Sequence, residues 1–164
     1  VRLSEDAAKA ETIVVPATDG APARRIGVIK LPGFYQDFEG RRSNNGDYAS
    51  ATHDVARLLQ ELKAQKVDGV VMDLRNNGGG SLTEAVELTG LFIDKGPVVQ
   101  VRESGGRVSV EGDTAAGVSW NGPLAVLIPL FSFFAAIAIT IVVIVRRNAY
   151  RRRLLNSPPP GPSF

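Results

Sequence analysis

Gly69-Val70-Val71-Met72-Asp73-Leu74-Arg75-Asn76-Asn77-Gly78-Gly79-Gly80-Ser81-Leu82 is the stretch from which the rest of the chain is read. Residues 69 to 74 make a nearly continuous apolar run, the pattern of a strand covered on both faces by helices. Three glycines interrupt it. Ser81 then stands where an N-cap would, Glu84 occupies the capping-box position, and Leu82, Ala85, Val86, Leu88, Thr89 and Phe92 supply the buried side of a helix expected over Ser81 to Ile93.

Working outward, Val55, Leu58, Leu59 and Leu62 recur at helical spacing, which predicts a helix that begins near Ser50 or Thr52 and ends before Val67. Before it, Ile26, Val28, Ile29 and Leu31 form a short apolar run stopped by Pro32 and Gly33, as a buried strand would be. Strand, helix, strand, helix is the order of an α/β layer with a parallel sheet. Phe34, Tyr35 and Phe38 fall in an irregular loop, and residues 39 to 49 are polar and glycine-bearing. Downstream, Val98–Arg102 and Arg107–Glu111 read as a hairpin turned through Ser104, Gly105 and Gly106. Leu124 to Ile128 is either another core strand or the start of a membrane helix. Residues 1 to 25 read as a linker holding one lone β-prone run, Thr12 to Val15.

Composition adds bounds. The 164-residue chain has net charge +2, and after Asp113 it contains no acidic residue, while Arg146, Arg147, Arg151, Arg152 and Arg153 are crowded into the tail. Without those five the remainder is mildly acidic, so no nucleic-acid footprint is visible. From Pro123 to Val145 no residue is charged. That pattern predicts one transmembrane helix, with the five arginines as cytoplasmic contacts to lipid headgroups and the preceding residues outside the cytoplasm. There is no cysteine, which excludes disulfides, thiolate metal sites and a cysteine nucleophile. Val1 opens the chain with no signal-peptide pattern, as the interior of a longer protein would.

A strand that opens into glycines ahead of a helix start places unencumbered amides at the carboxyl edge of a sheet. Glycine permits positive φ, and the helix N-terminus adds orphan N–H groups and a favourable dipole. In an acyl-transfer enzyme such a place serves as an oxyanion hole, which makes Gly78, Gly79 and Gly80 the candidate substrate-binding residues. On glycine content alone a flexible turn is the readier reading. A phosphate cradle fits poorly, because neither the P-loop Gly-Lys-Ser/Thr nor the Rossmann spacing follows. Asp73 and Arg75 suit an ion pair or loop positioning better than proton transfer. The single histidine, His53, reads as an exposed residue at a helix start. No metal-ligand cluster and no cofactor motif is present.

Gly27 to Tyr35, Val70 to Gly80, Leu82 to Val86, Gly90 to Ile93, Gly96 to Arg102 and Asn121 to Leu124 together resemble the C-terminal processing peptidases, or tail-specific proteases, over about residues 26 to 128. The Asp-Leu-Arg-x-Asn-x-Gly-Gly signature is fairly specific between a strand and a helix. The resemblance implies a partial ClpP/crotonase-like protease core, an extracytoplasmic serine endopeptidase with a Ser-Lys dyad, no cofactor, and peptide or protein C-termini as substrate. It also implies a PDZ domain upstream, of which Val1, Arg2 and Leu3 resemble the last residues. The resulting division is 1–25 linker, 26–128 partial protease core, 129–145 apolar segment and 146–164 basic, proline-rich tail.

The likeness breaks at Pro129. Phe131 and Ser132 keep register with the family's Phe-Ser, so its nucleophilic serine falls on Phe134, which cannot attack a carbonyl. The family's general-base lysine would fall near Pro159, and no lysine occurs after Lys95. Ser132, inside an apolar span, suits helix packing rather than a displaced nucleophile. The expectation is a fragment with an oxyanion loop and no dyad. Alternatives are a membrane-tethered pseudoprotease that binds peptide by strand addition, a tail produced by a gene junction or frameshift, and a crotonase-like acyl-CoA enzyme fragment.

Overall fold

The computed structural model describes residues 7–18, 20–43 and 48–129, and the backbone of 140–145. The elements run β1 (Lys9–Val15), β2 (Arg24–Lys30), α1 (Phe38–Arg42), α2 (Ala51–Ala64), β3 (Gly69–Asp73), α3 (Leu82–Gly90), β4 (Gly96–Arg102), β5 (Val108–Asp113), β6 (Leu124–Pro129) and β7 (Thr140–Val145). Among the described residues, five strands form one mixed sheet in the order β1-β2-β3-β6-β7, while β4 and β5 pair separately. Within the sheet β2, β3 and β6 are mutually parallel, and the edge strands β1 and β7 are antiparallel to their neighbours.

The register explains which residues are buried. Ile29 lies beside Met72 and Gly27 beside Val70, so the period-2 alternation of strands sends Gly27, Ile29, Val70 and Met72 to one face. Ile29, Val70 and Met72 are buried there with Val55, Leu58, Leu59 and Leu62 of α2. Gly27 lets α2 approach closely, because a Cβ at that position would stand 2.6 Å from a methyl of Leu62. Val28 and Val71, on the opposite face, are only half buried. Both α2 and α3 therefore cover the same face, and the two-sided covering anticipated for β3 is not found among the described residues.

Local chemistry sets the helix ends. Ser50, rather than Thr52, caps α2, its side chain accepting from the His53 amide at 3.2 Å. His53 itself is exposed, with its ring 4.9 Å from that of Tyr48. The short helix α1 falls where an irregular loop is expected. Asp37 starts it by accepting from the Glu39 and Gly40 amides, each at 3.1 Å, and Arg41 pairs bidentately with Glu87 of α3 at 2.7 and 3.2 Å. The run Thr12 to Val15 is part of a strand, but not a lone one in a linker, since β1 pairs along its whole length with β2.

The expected membrane helix is not found among the described residues. Leu124–Pro129 and Thr140–Val145 are antiparallel partners, Leu124 opposite Val145 and Pro129 opposite Thr140. No helix among the described residues is long and apolar enough to cross a membrane. The physical reason is that short apolar runs do not distinguish strand from helix by periodicity, and Ile141 to Val145 is wholly β-branched. Residues 130–139 and 146–164, with Ser132, Phe134 and the tail arginines, lie outside the described residues, as do Val1, Arg2 and Leu3.

Leu59 is fully buried between α2 and the sheet. Leu59→Ala is expected to destabilise the chain by about 2–5 kcal/mol, read from the midpoint of urea unfolding.

Candidate functional site

The glycine loop follows the carboxyl end of β3, where open α/β sheets commonly bind ligands. Asp73 ends the strand, and the Leu74 amide still reaches across to the Leu127 carbonyl at 2.9 Å. Arg75 then folds back on Asp73, its Nε and terminal nitrogen donating to the two carboxyl oxygens at 2.9 and 2.7 Å, and its backbone amide adding a third bond at 3.1 Å. The Arg75 guanidinium holds the Asp73 carboxyl below its ordinary value of 3.8. With both oxygens committed to Arg75, the pair turns the chain rather than transferring protons.

Asn77 organises the next turn. Its side-chain nitrogen donates to the Leu31 carbonyl at 3.1 Å, and its side-chain oxygen accepts from the Gly79 amide at 2.8 Å. The Gly78 amide donates to the Pro32 carbonyl at 3.0 Å. Phe34 secures the far side, its amide donating to the Gly79 carbonyl and its carbonyl accepting from Ser81, both at 2.8 Å. Two of the three glycine amides are thus engaged, one within the loop and one by Pro32 after β2. The Gly80 amide has no partner among the described residues, and Gly80 is exposed.

Gly80 adopts φ +140°, and a Cβ there would collide with the Phe34 carbonyl oxygen. Gly79 has φ +89°, whereas Gly78 has open space around it and no positive φ. The need for glycine is therefore greatest at Gly80, the position whose amide is left over.

Beside the loop lies an apolar cleft of about 460 Å³ between α3, β4 and the covered face of the sheet. Phe34, Met72, Leu74, Leu82, Leu124 and Val126 contribute to its wall. Leu82, assigned to the buried side of α3 by its spacing, is 48% exposed because it faces this opening. Glu84 does the reverse. Its capping-box partner, the Ser81 amide, is already donated to Phe34, and the Glu84 side chain turns away to become fully buried. Ser81 still caps α3, its hydroxyl accepting from the Glu84 amide at 3.3 Å.

Sequence reasoning missed Asn77, Gln36, Tyr35 and Glu84 as determinants of the site. The Tyr35 hydroxyl donates to Asp54 at 2.6 Å and accepts from the Ala8 amide at 2.9 Å, and burial, with Asp54 beside it, raises the phenol above its ordinary value. Only Asn77 carried a signal, as an Asn two residues before a glycine, where Asx turns form. No group of acidic or histidine side chains among the described residues could hold a metal ion.

A glycine loop that leaves one amide unengaged at the carboxyl edge of an α/β sheet has a donor that an anion or a carbonyl oxygen can accept. The sequence model of peptidase family S41 matches residues 25–143, and the chain belongs to that family. The match runs past Ile128, where the likeness read from the residues stops. The chain is 40% identical over 136 residues to the tail-specific protease of Haemophilus influenzae, covering 83% of this chain and 17% of that protein. It is 30% identical over 128 residues to carboxyl-terminal-processing peptidase 2, chloroplastic, of Arabidopsis thaliana, covering 77% of this chain and 22% of that protein. Among solved structures it is similar to a photosystem II D1 C-terminal processing protease, with TM-score 0.52 and 28% identity over 74% of this chain and 29% of that one. The chain thus spans 17% and 22% of the length of the two curated relatives.

Two outcomes follow from this geometry. Gly80→Ala is expected to destabilise the chain by about 1–3 kcal/mol while Gly78→Ala stays within about 1 kcal/mol of the parent, both read from denaturant midpoints. The depressed Asp73 value means that its ion pair adds stability above the ordinary carboxylate range, and that this is lost as pH falls through the lower folded value. Asp73→Asn is therefore expected to lower stability near neutral pH and to flatten the acid limb of the stability profile.

Proposed function

We propose that this chain is a segment of a tail-specific serine endopeptidase that keeps the loop for a substrate carbonyl oxygen but lacks the catalytic pair, so that it does not cleave peptides as written. The observation that carries the reading is the Gly80 amide, held at the carboxyl edge of the parallel strands and unengaged among the described residues. An amide fixed by a rigid scaffold stabilises developing negative charge without reorganising, which is what an oxyanion hole requires. Gly78 and Gly79 shape the loop in this reading and Gly80 supplies the donor. The absence of a chemical step rests on the sequence, where Phe134 stands at the family's nucleophile position and no lysine follows Lys95.

A second reading, as a peptide-binding module, is favoured by the apolar cleft beside that amide, which suits an apolar side chain of an extended peptide whose carbonyl meets Gly80. The membrane tether is not retained, because the described parts of the apolar span are paired strands. Peptide or protein C-termini as ligands, an upstream PDZ domain and an extracytoplasmic place of action go with the family likeness and rest on it alone. The acyl-CoA alternative shares the glycine-amide chemistry, and binding separates the two.

A fluorophosphonate probe is expected to leave the purified chain unlabelled. Covalent labelling of any serine would overturn the inactive reading. In parallel, an apolar synthetic peptide with a free C-terminus is expected to shift the Gly80 amide resonance saturably, while acetyl-CoA leaves it in place. The opposite pattern would favour the acyl-CoA enzyme.

A further inference from the structure

Glu84 is fully buried, and a buried carboxyl is costly unless its oxygens are satisfied. Here both are. One oxygen accepts from the Ser50 hydroxyl at 2.9 Å and from the Thr52 amide and hydroxyl, each at 2.8 Å. The other accepts from the Gln36 side-chain nitrogen at 3.0 Å. The first set anchors α3 to the opening turn of α2. The Gln36 bond leads elsewhere.

The Gln36 side-chain oxygen accepts from the Ser81 hydroxyl at 3.2 Å, and the same hydroxyl accepts from the Glu84 amide at 3.3 Å. The three bonds close a ring. A carboxyl acceptor orients the Gln36 amide, because only the nitrogen end can donate to it. That leaves the oxygen end for Ser81 and fixes which way the Ser81 hydroxyl points. Ser81 directly follows Gly80, and its amide is bonded to Phe34, whose own amide holds Gly79. Between the strand end and Ser81 stand Gly79 and Gly80, residues with wide backbone freedom. Their conformation is set by what is fastened at either end.

We propose that Glu84 is the positioning residue of the glycine loop, acting through Gln36 and Ser81 to fix the direction in which the Gly80 amide points. Any catalytic meaning of that direction rests on the oxyanion reading above; the positioning itself does not. Glu84 touches no substrate in this role. The same carboxyl joins the start of α2, the residue pair that fastens the loop, and the start of α3, so the loop takes its orientation from the helical layer as well as from the strand before it.

The test uses the full chain, labelled with nitrogen-15, and its Glu84→Gln, Gln36→Met and Ser50→Ala variants, with amide exchange and chemical shifts as readouts. Gln36→Met cuts the link to Ser81 while leaving the Glu84 bonds to α2 in place. It is expected to speed exchange of the Ser81 and Phe34 amides by about tenfold and to shift the Gly80 resonance, with the Thr52 amide still protected. Glu84→Gln, which puts an amide nitrogen where a second acceptor stood, is expected to perturb both regions. Ser50→Ala is expected to perturb only the first turn of α2. Folded Gln36→Met protein with unchanged Ser81, Phe34 and Gly80 signals would overturn the proposal, and so would equal loop changes in Ser50→Ala. Should Glu84→Gln fail to fold, Gln36→Met decides alone. Failure of the unaltered chain to bind peptide would remove the proposed function and leave the exchange result standing.

Discussion

Parallel pairing of β2 with β3, from Ile26 beside Gly69 to Lys30 beside Asp73, is the constraint on which the rest of this structure depends. It sets Leu31 and Pro32 directly against the chain leaving β3, so that the Leu31 amide meets the Asp73 carbonyl at 3.2 Å and the Leu31 and Pro32 carbonyls are presented to Asn77 and Gly78. A shift of one residue would put Ile29 and Met72 on opposite faces of the sheet and carry those carbonyls out of reach. Burial and loop geometry thus follow from one register. The buried partners of that register, Val55, Leu59 and Leu62 of α2, supply the apolar contact that specifies it.

Much of the scaffold is legible in the sequence because its signals are periodic. The stripe Val55, Leu58, Leu59, Leu62 is buried as its spacing requires, and Ser50 caps the helix it precedes. The hairpin around Gly105 and Gly106 forms β4 and β5. What could not be read was decided by partners distant in sequence. Leu82 has helical spacing with Val86, but which side of α3 is covered depends on where β4 and β6 fall. Glu84 looks like a capping-box acid, and becomes a buried one because Phe34 takes the amide it would have bonded. Ile141 to Val145 has a composition that a membrane helix and a strand share, and pairing with β6 decides the outcome.

The candidate site was legible as a motif and not as a geometry. Three consecutive glycines do not say which amide is spare. That follows from Asn77 and Pro32, which take Gly79 and Gly78 respectively; the spacing of Asn77 and Gly79 hints at the first bond, while the second depends on how β2 and β3 pair. The glycine most constrained sterically is also the one whose donor is left over, since the bridge to Phe34 that forbids a Cβ at Gly80 also turns its amide away from Phe34.

Among the described residues, the bonds that shape residues 77 to 81 come from partners between Leu31 and Glu84, with none from β6. The direction of the Gly80 amide is therefore specified within residues 31 to 84. A substitution outside that stretch can leave the same donor presented in the same direction, since the bonds that hold it lie inside it. The loop is in that sense a self-held unit, tied to β6 through the strand that precedes it, where the Leu74 amide meets the Leu127 carbonyl.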